Sequence, residues 1–263
     1  MTAETPLSPL VRVSLDPDER LLTLTLDRPK ANVLTGAMMA ELRQALAAHR
    51  ESSRLRLVAL RGAGEHFSFG ASVAEHTPQE APAMLDGFHA LIRELVHYPV
   101  PVVAVVDGKC LGGAFEVALA CHFVLVTERA VFACPEIKLG AFPPVLAALG
   151  PLRLGGALTE RLLLTGQELS ADRAVACGFA ERVTGDVDGA AAHLHDTRLA
   201  GLSAFALRQA TRAARRAGGA EQAVGDVLDA LHRQYVDEFI TSHDGAEGVR
   251  AFLEKRAPRW EDR

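Results

Sequence analysis

Aromatic residues are scarce in this 263-residue chain, 5% in all with one tryptophan and two tyrosines, so a large core must be built mainly from Ala, Val and Leu. The four cysteines (Cys110, Cys121, Cys134, Cys177) show no C-x-x-C spacing, which argues against a zinc site or a disulfide framework and for a reducing, cytoplasmic setting. No uninterrupted apolar run reaches the roughly 20 residues that span a bilayer, and "MTAETPLSPL" lacks the basic and apolar regions of a signal peptide. There is no excess of basic charge: the net charge of -5 argues against nucleic acid or an anionic membrane as main partner. Low-complexity tracts and repeats at a solenoid period are absent too. Apolar residues make up 49%, enough for one large core and too many for a disordered chain.

Strand and helix alternate through the first half. "VRVSL" (11–15) and "LLTLTLD" (21–27) read as paired strands around an Asp16–Pro17–Asp18 turn. Met38, Leu42 and Leu46 are four apart, the spacing of an amphipathic helix over 35–50 capped by Thr35. "LRLVALRG" predicts a strand, 79–97 a helix, and the apolar "VPVVAVVDG" (100–108) a strand buried on both faces. Such alternation predicts stacked β-α units with parallel strands. Beyond about residue 145 helical patterns dominate. The expected organisation is an α/β core over 1–200 and a helical region over 201–263. In that region Arg208, Arg212 and Arg215 fall on one helical face, either a solvated stripe or a contact to phosphate or RNA.

Three turns carry candidate chemistry. In "HFSFGASVAEH" (66–76), Gly70 permits an unusual backbone turn, and Ala71 and Ser72 offer N–H groups. In "GKCLGGAFEVALAC" (108–121), Gly112 and Gly113 break strand from helix and leave the first helical N–H groups unsatisfied. One N–H from each turn would make a two-donor oxyanion hole. In "FACPEIKLGAF" (132–142), Pro135 fixes the turn and Glu136 follows it. Glu116 is the puzzle: a lone carboxylate in an apolar run, with Lys109 the closest basic residue, is exposed, strained or useful.

These turns, with "LDRPKANVL" (26–34) before them and "SHDGAEGVRAFLEKRAPRWEDR" (242–263) after, resemble the crotonase (enoyl-CoA hydratase/isomerase) superfamily over nearly the whole chain. The resemblance implies a ClpP/crotonase-like fold, in which repeated β-β-α units form a spiral core and C-terminal helices join a homotrimer or a hexamer. It implies an acyl-CoA hydratase with no prosthetic group and no metal, coenzyme A being part of the substrate. Glu116 and Glu136 become the carboxylates flanking the substrate double bond, and the N–H groups of Ala71 and Gly113 the oxyanion hole. Lys30, Ala31, Asn32, Phe69 and Gly70 fall where the family touches coenzyme A. Lys255 in "EKR" resembles a lysine that reaches a CoA phosphate from a neighbouring subunit.

Two positions depart from the common hydratase pattern. Ala114 replaces a third glycine, tolerable at a helix start. Pro144 stands where a glycine helps hold the reacting water, and proline has no N–H to give. A proline there, with "HFSFGASV", "CLGG" and the C-terminal tail, is similar to the branch that hydrates an alicyclic dienoyl-CoA in anaerobic aromatic degradation. That branch implies a wide, short pocket, with Phe142, Phe69 and His76 as wall residues and His76 a possible hydrogen-bond donor. The alternatives are a general enoyl-CoA hydratase, an isomerase or decarboxylase on the same fold, and an RNA-binding or scaffold protein. The intact glutamate pair weighs against all of these but the general hydratase.

Overall fold

The computed structural model describes residues 9–183 and 185–263. Its first half is β1 (Val11–Leu15), β2 (Leu21–Leu26), α1 (Gly36–His49), β3 (Leu57–Gly62), α2 (Ala81–Val96), β4 (Val102–Val106), β5 (Lys109–Leu111), α3 (Gly113–Ala120), β6 (Phe123–Val126) and β7 (Val131–Ala133). Then come α4 (Pro144–Leu154), α5 (Gly156–Thr165), β8 (Leu169–Ser170), α6 (Ala171–Ala176), β9 (Glu181–Arg182), α7 (Ala190–Leu194), α8 (Ala204–Ala217), α9 (Ala220–Gln222), α10 (Leu228–Gln234) and α11 (His243–Leu253). The predicted strands and helices of the first half all form, with ends within about two residues. Asp16 closes the first hairpin by accepting from the N–H groups of Arg20 and Leu21, and Thr35 caps α1 by accepting from Met38. Among the described residues, no helix is long and apolar enough to cross a membrane.

Six strands make the main sheet in the order β1-β2-β3-β4-β6-β9. Only the β1–β2 pair is antiparallel; the others run parallel, with Leu24, Leu60, Ala104 and Val124 in one row. Every residue of β4 is buried, as its unbroken apolar run requires. One face carries the main core and the other a smaller cluster that includes Leu57, Val103 and Leu194. The second sheet is short, in the order β5-β7-β8.

That second sheet positions the site. Ser68 bridges Cys110 in parallel, Cys110 pairs with Phe132, and Leu34 bridges Ala71. Each β-β-α unit therefore lays its second strand beside that of the previous unit. The three chemistry-bearing turns follow these short strands, so they emerge at the same edge. Stacking of repeated units brings together segments far apart in sequence.

The C-terminal helices are not a loose appendage. Ala223, Val224, Leu228 and Tyr235 belong to the same core as β2 and β4. Helix α8 is amphipathic by an unusual device: Arg215 is buried, donating to the Ala120 carbonyl and to His122 Nε2 at 3.0 Å. Arg208 donates to the carbonyls of Arg50 and Ser52. Two of the three stripe arginines thus pin α8 to the core, a correction to both readings of the stripe. Their long stems cover apolar surface while the guanidinium heads satisfy helix-end and turn carbonyls.

Candidate active site

Gly70 and Gly112 are the two glycines that the site cannot replace. Gly70 has φ 90°, and a Cβ there would collide with the Leu111 carbonyl and lie 3.1 Å from the Gly113 nitrogen. Gly112 has φ 52°, and its Cβ would lie 2.8 Å from Glu136 Oε1. The two turns are thus in direct contact, with no room for a side chain between them. In the parallel bridge to Leu34, Gly70 O accepts from Leu34 and Ser72 N donates to Leu34 O, so the intervening Ala71 N–H points the other way. Gly113 begins α3, where the first N–H groups have no partner inside the helix.

Glu116 lies on the first turn of α3 and is 4% exposed. It is neither exposed nor without partners. Its Oε1 accepts from Val145 N at 2.8 Å and Leu146 N at 2.9 Å, the first turn of α4. Pro144 occupies the first helical position, where a missing N–H leaves nothing unsatisfied and φ is already helical. Burial raises the Glu116 pKa above the ordinary carboxylate range, and the two N–H bonds oppose that rise.

Glu136 sits in a 3-10 turn (Pro135–Leu139) ended by Gly140 in the left-handed conformation. Its Oε2 is buried without a hydrogen-bond partner among the described residues. Burial first, and the Glu116 charge second, raise its pKa above the ordinary carboxylate range, and no pair of N–H bonds like those to Glu116 opposes the rise at its Oε2. A neutral Glu136 beside an ionised Glu116 is the arrangement these environments favour. The C-terminal tail holds the turn in place. Trp260 lies 3.1 Å from where a Cβ of residue 140 would be, and a Cβ on Gly248 of α11 would overlap the Leu139 carbonyl. Glu247, buried, binds Arg256 and the Arg259 N–H, fastening tail to α11.

A cavity of about 510 Å³ opens over these turns, its walls mostly apolar. Ala71, Gly112 and Glu136 form its polar end, and Phe69, His76, Tyr235, Phe252 and Leu253 are among its walls. Glu116 lies behind Glu136, close enough for its charge to raise the Glu136 pKa.

Some expected wall and ligand residues stand elsewhere. Phe142 does not line the cavity; its ring packs behind Tyr235, centroids 5.3 Å apart. Pro144 is buried in α4 and also does not line it. His76 does line it, but its Nδ1 is 2.8 Å from the Ser72 carbonyl and must carry the proton. Burial lowers its pKa, so the neutral ring offers Nε2 as an acceptor, not the expected donor.

Lys30, Ala31 and Asn32 line a cleft of about 330 Å³ shared with His66. The His66 ring packs on Phe69, 5.1 Å between centroids, so this cleft and the cavity meet at that pair. Asn32, however, is 3% exposed, and its Nδ2 donates to the Ala63, His66 and Phe67 carbonyls while Oδ1 accepts from Arg28 N. It braces the loop and is not presented to a ligand. Lys30 is exposed. Lys255 is exposed just beyond α11, two residues after the cavity-lining Leu253 of the same chain.

Tyr235 escaped the sequence reading. It lies in a wide π turn (Tyr235–Phe239) that continues α10. In sequence it is one apolar-spaced aromatic in a helical region; only the isolated rarity of tyrosine marked it. Among the described residues no group of three or more His, Cys, Asp or Glu is placed to hold a metal ion.

Residues 17–263 match the family model described as Enoyl-CoA hydratase/isomerase. The chain is similar to cyclohexa-1,5-dienecarbonyl-CoA hydratase of Thauera aromatica, 43% identical over 97% of this chain and 98% of the relative. It is 32% identical to carnitinyl-CoA dehydratase of Proteus mirabilis, over 92% and 95% of the two chains. A solved enoyl-CoA hydratase from Mycobacterium avium subsp. paratuberculosis superposes with a TM-score of 0.80 at 28% identity, covering 96% of this chain and 99% of that one. The expected crotonase fold is therefore borne out. With its stacked β-β-α units matched nearly end to end in both sequence and structure, the chain belongs to the enoyl-CoA hydratase/isomerase family.

Proposed function

We propose that this protein is a hydro-lyase that adds water to cyclohexa-1,5-diene-1-carbonyl-CoA to give 6-hydroxycyclohex-1-ene-1-carbonyl-CoA. The single observation that carries the chemistry is the pairing of buried Glu116, held by two backbone N–H groups, with Glu136, whose Oε2 has no partner among the described residues at the polar end of an apolar cavity. The 43% identity to the Thauera aromatica hydratase supports the ring substrate.

The thioester oxygen accepts from the N–H groups of Ala71 and Gly113. Ionised Glu116 takes a proton from water as the water oxygen bonds to the ring carbon β to the thioester. The electron pair moves into the conjugated system, and the oxyanion donors hold the charge that develops. Neutral Glu136 then gives its proton to the far end of the diene, leaving the ring with one conjugated double bond. A proton passing from Glu116 to Glu136 resets the pair. Each oxyanion donor is worth about 3 to 4 kcal/mol in comparable sites, and a placed proton-transfer group about 10² to 10⁴ in rate. Coenzyme A runs from the cavity past Phe69 and Gly70 along the Lys30–Ala31 cleft, with Lys255 at its phosphates. Exposed Leu164, Leu202 and Phe205 support self-association as a homotrimer or a dimer of trimers.

The test is hydration of a panel of thioesters, with product identification. The expected kcat/KM for the cyclic diene exceeds that for crotonyl-CoA by at least about 100-fold, or about 2.7 kcal/mol of differential transition-state binding. Equal efficiency would remove the ring assignment and leave a general enoyl-CoA hydratase.

A further inference from the structure

The first turn of α4 has no donor left for a reacting water. Pro144 has no N–H, Val145 and Leu146 both donate to Glu116 Oε1, and Ala147 donates to the Pro143 carbonyl at 3.1 Å. If water is to be held beside Glu116 and Glu136, another polar group must contact it. Tyr235 is the group in place. It lines the same cavity as Glu136, and its ring is clamped between Phe142 and Phe239 at centroid distances of 5.3 and 4.6 Å. The residue is 2% exposed, no hydrogen bond joins its hydroxyl to another described residue, and the oxygen is not among the fully enclosed unpartnered atoms, so it keeps a small accessible surface. The other tyrosine, Tyr98, is equally buried and donates to the Leu46 carbonyl at 2.9 Å. Phenols in a protein interior are ordinarily hydrogen-bonded, so an unpartnered but accessible one on a cavity-lining residue is suited to a ligand.

We propose that the Tyr235 hydroxyl holds the oxygen that the reaction adds, donating to the reacting water and then to the ring hydroxyl it becomes. It does so in place of the backbone N–H that Pro144 lacks. This rests on the hydratase reading above. Burial and the nearby charges of Glu136 and Glu116 push the phenol pKa upward, which keeps it a donor at every working pH. The aromatic clamp leaves the ring one orientation, and the hydroxyl is thereby placed without loss of side-chain freedom on binding. The ligand feature it reads is a hydroxyl on the carbon β to the thioester.

Binding tests this apart from turnover. In a Glu136→Gln background, which keeps the ligand unchanged, Tyr235→Phe is compared with its parent for two thioesters by calorimetry. One is 6-hydroxycyclohex-1-ene-1-carbonyl-CoA, the other cyclohex-1-ene-1-carbonyl-CoA, which lacks only the hydroxyl. The expected result is a loss of about fivefold to tenfold for the hydroxylated ligand, the size of one lost hydrogen bond, and less than about twofold for the other. Phenylalanine keeps the ring between Phe142 and Phe239, so the wall survives. Equal losses, or none, would overturn the proposal and make Tyr235 a wall residue. Hydration of the cyclic diene by the unaltered protein judges the hydratase reading separately, whichever way the binding falls.

Discussion

Glu136→Gln should make the protein more stable, and the gain should grow with pH. The Glu136 Oε2 is buried with no partner among the described residues, and the neighbouring Glu116 charge opposes its ionisation. Its folded-state pKa is therefore raised above that of the unfolded chain. The folded protein then binds more protons than the unfolded chain between those values, so stability is full below the unfolded pKa and falls as pH rises through the folded one. Each tenfold gain in proton affinity corresponds to about 1.4 kcal/mol, so a rise of two decades or more costs about 3 kcal/mol or more at pH 9. Glutamine imitates the neutral acid at every pH and escapes that loss. Urea unfolding of parent and variant at pH 5, 7 and 9 reads the difference directly. Near-equal stability at pH 5 and a variant more stable by several kcal/mol at pH 9 is the expected result. A difference that does not change with pH would mean that Glu136 is not held against ionisation, and its role as the acid would go with it. The same variant should lose at least two orders of magnitude in kcat while still binding thioester.

Gly70→Ala should lower kcat at least about 100-fold, because a methyl group drives the proposed oxyanion turn away from Leu111 and Gly113; turnover within threefold of the parent would show that the turn adapts. Lys255→Ala should weaken acyl-CoA binding far more than binding of the same acyl group on pantetheine, which lacks the nucleotide phosphates. Equal effects on both would remove Lys255 from the phosphate site. Arg215→Ala should lower stability by about 2 to 4 kcal/mol in urea unfolding by leaving the Ala120 carbonyl unpaired, with kcat unchanged at 25 °C. A shift below about 0.5 kcal/mol would mean that the guanidinium is no anchor.

The local alternation of apolar and polar residues determined the strands and helices of the first half, because a period of two or of 3.6 is a property of neighbours in sequence. Turn chemistry did the same at Thr35, Gly70 and Gly112, where capping and positive φ act within a few residues. Two carboxylates and two glycine turns were legible as a site through their resemblance to a family pattern. Their meeting was not. Glu116 and Glu136 come near each other because short strands β5 and β7 stack in parallel register, a pairing between units that no local period encodes. The use of Val145 and Leu146 to bind Glu116, after a proline that itself gives nothing, depends on where α4 docks. Asn32 and Arg215 have the composition of ligand contacts, yet the fold turns both inward to satisfy carbonyls. Tyr235 was hidden for the opposite reason, being an ordinary aromatic on a helical face until the C-terminal helices closed over the cavity. Sequence sets which groups exist and how each segment bends. Burial and proximity, which decide what a carboxylate or a phenol can do, arise only when segments far apart in the chain come to share one cavity.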